Sequence, residues 1–290
     1  MKNLLKSCLV VFWLFIFNTI LLYAQDTLNV EDEKIVRVFL DSFRAQTNST
    51  DQTSPNERLV LAARYFMGTP YKEKTLELNE EEDLIINLIE LDCTTLIENC
   101  IALVRTSYSS YLDFDYFSLQ LKYIRYRNGI IQGYPSRLHY MADWITDNIN
   151  KGIIEDITHA IGGKKFYPQV EFMSSHPNLY PQLKNNRKNT EEIKKIETNI
   201  NQRTTYYYVP QREISEKQSL IKNGDIICFT TNIQGLDVSH IGIAYWNKGQ
   251  LTFIHASSKH KKVLINPESL LDYCLMMKNN TGIMVLRLLN

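Results

Sequence analysis

The pattern of apolar and polar positions divides the chain into two halves of different period. Up to about Asp147, apolar residues recur at helical spacing. Ile35, Val38, Phe39 and Phe43 make one stripe, Leu59, Val60, Ala63, Phe66 and Met67 a second, and Leu96, Ile97, Cys100, Leu103 and Val104 a third. Phe117, Leu121 and Ile124 predict a fourth helix, and Ser136 is a candidate N-cap for a fifth running through Leu138, Met141 and Ile145. From Thr204 the period shortens, and strands are predicted over 206–209, 225–231, 238–246, 251–256, 262–265 and 282–288. The segment 180–203, rich in Asn, Lys and Glu, predicts a surface helix or insertion rather than a domain linker. Helices followed by antiparallel strands predict an α+β fold, a helical layer packed on an antiparallel β-sheet.

The first residues belong to neither half. Lys2 and Lys6 precede an apolar run from Leu9 to Leu22, broken at Asn18 and ending in Tyr-Ala-Gln, which predicts a signal peptide over 1–24 with cleavage after Ala24. The competing reading is an uncleaved anchor, although the run is short for a span of about 20 apolar residues. The remainder, 25–290, is expected to be a single domain in an exported, periplasmic protein, touching a membrane only through an uncleaved leader. Lys plus Arg number 32 and Asp plus Glu 32, and this zero balance argues against a nucleic-acid partner. A monomer is expected.

Beyond the leader the cysteines are Cys93, Cys100, Cys228 and Cys274, an even number that makes disulfides the first guess for an exported chain. On one helix, however, Cys93 and Cys100 would be about 10 Å apart, beyond the roughly 7 Å reach of a bridge. Cys228 and Cys274 lie in apolar surroundings and read as small buried hydrophobes. No Cys-x-x-Cys pair suggests structural zinc, and neither metal nor cofactor is expected.

The chemistry concentrates in two places. In Leu91-Asp92-Cys93-Thr94-Thr95, residues that favour helix starts open the third apolar stripe and put Cys93 in a first turn. There, free N–H groups and the helix dipole are expected to lower the thiol pKa and to hold an oxyanion. Far downstream, Asp237 to Trp246 and Leu251 to Ala256 predict a hairpin turning at Lys248-Gly249, pairing Trp246 with Leu251 and Gly242 with His255. In that register His240 and His255 are diagonal neighbours on one face, with open space beside them at Gly242. A base and its orienting partner need this arrangement. Each residue alone has a plainer reading, the cysteine and histidines as packing residues. As a trio, Cys93, His240 and His255 could instead ligate zinc, although no carboxylate–histidine pattern of a zinc hydrolase accompanies them. Arg125, Arg127 and Arg137, with Tyr126, His139 and Tyr140, form a polar and aromatic patch that suits a sugar or a carboxylate, or else a solvated helix face.

Taken together, Asp92-Cys93-Thr94, Gly224-Asp225-Ile226-Ile227, His240-Ile241-Gly242-Ile243 and Phe253-Ile254-His255-Ala256 resemble the NlpC-type superfamily of cell-wall cysteine peptidases. Within it the chain is most similar to a branch of N-acetylmuramoyl-L-alanine amidases acting on anhydro-muropeptides, through Thr75-Leu76-Glu77, Asp92-Cys93-Thr94-Thr95 with Glu98, Arg125-Tyr126-Arg127, Ser136-Arg137-Leu138-His139-Tyr140 and Gly235 to His240. The resemblance implies a papain-like core, with Cys93 as nucleophile on the helical layer, His240 as base on the sheet and His255 orienting it. It implies peptidoglycan fragments as partners, with Tyr71, Arg125, Arg137, His139, Asp237 and Ser239 as substrate contacts. The chain departs from most superfamily members in lacking Gly-Gly before the cysteine helix and in its middle region, 105–223. Those departures favour the muramoyl-alanine bond over γ-D-glutamyl-diaminopimelate cleavage. A transglutaminase-like acyltransferase and a non-enzymatic binding module remain as alternatives.

Overall fold

The helical half begins with caps that the sequence supplies locally. The structure, a computed structural model, describes residues 30–44, 53–77 and 79–289; the expected leader lies outside them. Helix α1 occupies 30–44 and α2 Pro55–Tyr65. Ser54 accepts the Glu57 N–H while the Glu57 carboxylate takes the Ser54 N–H, closing a capping box behind Pro55. Helix α3, Cys93–Tyr108, starts in the same way, with Asp92 accepting from the Thr95 N–H and the Thr95 hydroxyl taking the Asp92 N–H. Helix α4 is Phe114–Arg125 and α5 Met141–Asn150. Ser136 does not cap α5; it lies in a 3₁₀ turn, Tyr134–Ser136. The cap comes from far along the chain, where the Asp237 carboxylate accepts the Ala142 N–H at 2.5 Å.

The middle region is built into the fold. It contributes β1 (Ile154–Asp156), β2 (Lys164–Lys165), α6 (Phe172–Ser175) and α7 (Arg187–Gln202). Helix α7 fills the segment expected to be a surface helix, but it is docked: Ile193 and Ile200 are buried, and Glu197 accepts the Tyr140 hydroxyl and the Ser174 N–H. The remaining elements are β3 (Tyr207–Pro210), α8 (Ile214–Lys217), β4 (Ile226–Thr231), β5 (Val238–Asn247), β6 (Gln250–Ser257), β7 (Lys262–Ile265), α9 (Leu270–Met276) and β8 (Asn280–Leu288).

These strands form one antiparallel sheet in the order β2-β3-β8-β4-β5-β6-β7, and β1 also pairs with β8. A mixed fold of helices and antiparallel sheet is therefore present, as the two periods predict. Both faces of the sheet are covered, which explains why every residue of β4 is buried. Ile226 and Cys228 join the core beneath α2 and α3; Ile227 and Phe229 join a second core closed by Ile214 of α8 and by Leu270 and Cys274 of α9. The β5–β6 hairpin turns at Lys248-Gly249, as expected, through a two-residue loop between Asn247 and Gln250, with Lys248 at φ 50° and Gly249 at φ 83°, the positive values a type I′ turn requires.

Gly224 and Asp225, at the opening of β4, have a structural duty. Gly224 has φ +83° and sits so close to the Asn56 backbone that a Cβ would collide with it. Asp225, fully buried, accepts two bonds from Arg287 at 2.8 Å and one from Asn56 at 3.0 Å. The pair thereby ties β4 to α2 and to β8.

Candidate active site

Cys93 is the first residue of α3 and half-buried; Cys100, Cys228 and Cys274 are free and buried. The capping box uses the Thr95 N–H, not those of Cys93 and Thr94. Helix α3 lies across β5 and β6, and where these strands part, the thiol meets the sheet. Ala244 bonds to Asp225 on the β4 side, so by alternation Ile241 turns its N–H toward β6. The β5–β6 ladder stops at Ile243 and Ile254, and the Ile241 N–H donates to the Cys93 sulfur instead. The sulfur is thus held by the residue that follows His240.

His240 and His255 meet directly, with His240 Nε2 2.6 Å from His255 Nδ1 and the rings nearly perpendicular at 84°. The register Trp246–Leu251 puts both on one face, as predicted. The space expected beside Gly242 is filled: a Cβ there would lie 2.6 Å from the Phe253 ring. Phe229, Phe253 and Tyr273 surround the histidines. A cavity of about 320 Å³ opens against them, with Ser239, Lys259, His260, Asn266, Glu268 and Lys278 among its walls.

Burial sets the charge of the site. It pushes the Cys93 thiol up to about 12, the Asp92 carboxylate adding to it, against the donors Ile241 N–H, Thr94 and the cysteine's own N–H. The lowered thiol expected from the helix start is therefore not what the folded site holds. Desolvation takes His240 down to about 4, and, with the neighbouring His240 and His260, takes His255 down to about 3. Near neutral pH the resting site is a neutral thiol beside two neutral imidazoles. Among the described residues, no three His, Cys, Asp or Glu side chains are grouped so as to hold a metal ion.

The model of the AmiA-like, N-acetylmuramoyl-L-alanine amidase-like proteins matches residues 61–283. The chain belongs to this family. Among solved structures, an N-acetylmuramoyl-L-alanine amidase from Bacteroides uniformis is 38% identical, with a TM-score of 0.78 over 81% of this chain and 99% of that one. A Bacteroides fragilis protein, provisionally named a xylanase, is 42% identical, with a TM-score of 0.75 over 79% and 100%. A Legionella pneumophila protein at 22% identity and a TM-score of 0.69, over 91% and 97%, shares the fold. No curated protein matches the sequence.

Within this amidase-like chain, the residues expected to contact substrate fall into two groups. Tyr71 and Ser239 are accessible. Tyr71 pairs with Leu91 beside the start of α3, and burial followed by the nearby Cys93 raises its hydroxyl to about 12; Ser239 lines the cavity. The other four are occupied by the fold. Arg125, 2% exposed, donates to Glu98 at 2.6 Å and to the Ile85 carbonyl at 2.6 Å. Arg137 is held by Glu77 at 2.8 Å and Glu82 at 3.0 Å, and Tyr126 donates to Glu82. These buried pairs tie Ile85 to α4, and Glu77 and Glu82 to the segment that follows it, and both arginines already have carboxylate partners within the fold. His139 donates to the Tyr134 carbonyl and is neutral, burial and Arg137 taking it well below its usual range. Asp237 caps α5, and burial raises it to about 6. Tyr273 and Asn266 also stand at the histidines and carry no signal of it in the sequence, since both lie in short stretches with no pattern beyond a helix turn and a strand end.

Proposed function

We propose that the protein is an N-acetylmuramoyl-L-alanine amidase that cleaves the amide between the muramic acid lactyl group and L-alanine through a Cys93 thioester, outside the cytoplasmic membrane behind the leader 1–24. The observation carrying this reading is the junction of the α3 start with the hairpin, where Ile241 donates to the Cys93 sulfur and His240 bonds to His255. With Nε2 engaged by His255, His240 keeps Nδ1 for exchanging a proton. As the sulfur attacks the lactyl carbonyl carbon, its proton passes to His240, so the ion pair forms during the reaction rather than before it. The Thr94 N–H in the first turn of α3, which the capping box does not use, is the donor this mechanism assigns to the developing oxyanion. The C–N bond breaks, the amine takes the proton from His240, and the peptide leaves with a free L-alanine. Water then attacks the thioester, giving a proton to His240, and the lactyl carboxylate leaves as Cys93 is protonated again.

The xylanase name of one relative favours a second reading only weakly. Glycoside hydrolysis by the usual acid and base pair needs two carboxylates about 5–9.5 Å apart, and the cavity beside the histidines has one, Glu268. The test is mass spectrometry of products from a purified anhydro-muropeptide with wild type and Cys93→Ala. Free stem peptide beginning with L-alanine, reduced at least about 10³-fold in the variant, is expected. Cleavage inside the stem would move the reading to γ-D-glutamyl-diaminopimelate endopeptidase, and transfer to an added amine to an acyltransferase. Full activity of Cys93→Ala would remove the cysteine from the mechanism.

A further inference from the structure

A neutral imidazole has one N–H and one lone pair, so a pair of bonded histidines can be written in two directions. If His240 Nε2 carries the proton, it donates to His255 Nδ1 and leaves His240 Nδ1 as a lone pair able to accept a proton from a thiol. If His255 Nδ1 carries it, His240 Nε2 accepts and Nδ1 becomes N–H, useless as a base. The 2.6 Å contact alone does not choose between them.

The choice is made on the far side of His255. His255 is 2% exposed, and its Nε2 is buried with no partner at hydrogen-bond length. Asn266 follows β7, pairing its N–H with the Phe253 carbonyl at 2.8 Å. Since His255 pairs with Leu264 on β7, Asn266 stands on the same face as Phe253 and His255, two residues along. It is 4% exposed and shares the cavity wall with His255. Its amide orientation is settled by its bonds: Nδ2 donates to the Glu268 carbonyl at 3.0 Å, and the backbone is pinned by Thr252, whose hydroxyl donates to the Asn266 carbonyl at 2.8 Å. The amide oxygen is therefore the atom offered to His255, and its effect on that ring is to favour a bound proton.

We infer that Asn266 is a positioning residue that selects the histidine tautomers: its Oδ1 keeps the His255 proton on Nε2, so His255 Nδ1 accepts from His240 Nε2 and His240 Nδ1 is the base for Cys93. With Oδ1 opposite Nε2, one direction gives a buried N–H its acceptor and the other sets two lone pairs against each other, so the first is favoured once the amide closes on the ring. The role rests on the Cys93–His240 reading proposed above. It makes the polarity of the whole relay depend on a residue that touches neither sulfur nor substrate. The titratable groups facing His255 are His240 on β5, His260 in the β6–β7 turn, Tyr273 on α9 and, across the cavity, Glu268, Lys259 and Lys278. None of them is placed by a hydrogen bond to take over the Nε2 proton.

The test compares Asn266→Leu with Asn266→Asp, each checked for folding by thermal melting. Three readouts are needed: kcat and KM on muropeptide against pH, the rate of Cys93 alkylation by iodoacetamide, and ring ¹⁵N spectra of the wild-type histidines. Removing the acceptor in Asn266→Leu is expected to lower kcat at least about tenfold with KM unchanged and to slow alkylation in parallel. Asn266→Asp keeps an acceptor and adds charge that favours imidazolium, so it is expected to recover most of kcat while moving the acid limb of the profile upward. Ring ¹⁵N spectra should show Nε2–H on both histidines of the wild type. Wild-type kcat, alkylation and pH profile in Asn266→Leu would overturn the inference; so would Nδ1–H on His255, or an Asn266→Asp enzyme as impaired as Asn266→Leu with an unmoved limb. If Asn266→Leu does not fold, the profile of Asn266→Asp and the wild-type spectra decide. Alkylation that responds to Asn266 in an enzyme that cuts no muropeptide would sink the proposed substrate and leave this inference standing.

Discussion

Cys93 sits under two opposed influences, the N-terminus of α3, which favours a thiolate, and burial beside the Asp92 carboxylate, which opposes it more strongly. The residue that starts the helix also supplies the charge that disfavours the anion. Exchanging it for an isosteric cap separates the two effects: Asp92→Asn keeps the oxygen that accepts the Thr95 N–H and removes the charge. The variant is expected to alkylate faster with iodoacetamide near pH 7, with the alkylation midpoint shifted to lower pH; an unchanged midpoint would show that burial alone raises the thiol. The histidines give a second expectation. If His240 is the base proposed above, a group taken down to about 4 is already neutral at pH 5, so kcat/KM should be level from pH 5 to 8 and fall only on acidification through about 4, where His240 takes up a proton. A fall centred near 6.5 would mean that His240 titrates as an exposed imidazole.

The β5–β6 hairpin is the element that assembles the site, and it was legible because its signals are local. Lys248-Gly249 fixes the turn, the turn fixes the register, and the register puts His240 and His255 on one face. What lies against that face was not legible, because Phe253 fills the place beside Gly242 only through packing. Gly242→Ala should therefore push the Phe253 ring, destabilise the fold by about 1–3 kcal/mol and disturb His255, read as a lower melting temperature together with reduced kcat; wild-type values of both would show that the ring yields freely. The buried arginines teach the converse. Arg125 and Arg137 look like ligand-binding residues in sequence, and only their long-range partners Glu98, Glu77 and Glu82 reveal them as buried ion pairs. Glu98→Gln is expected to cost about 3–5 kcal/mol in chemical denaturation, since it leaves the Arg125 charge buried without its partner; a loss under about 1 kcal/mol would contradict that duty.

At the scale of the molecule, two hydrophobic periods were enough to give helices packed on an antiparallel sheet, while the covering of its second face was not visible beforehand. Short α8 and α9 do that work with single apolar anchors such as Ile214 and Leu270, too brief to register as periodic. The two-residue β2 and three-residue β1 escape for the same reason. Because β1 and β3 both pair with β8, and Ile193 and Ile200 of α7 lie in the main core, the middle region and the rest of the sheet are expected to unfold in one transition. Two separated calorimetric transitions would show independent units. The proposed reading of Cys93 and the hairpin has a single chemical consequence, the identity of the group left on sulfur. Intact-mass analysis of enzyme acid-quenched during turnover of a defined anhydro-muropeptide reads it directly. The mechanism predicts a Cys93 adduct with the mass of the lactyl-linked muramic portion while free stem peptide accumulates. An adduct carrying stem-peptide mass, or steady turnover with Cys93 alkylated beforehand, would contradict it.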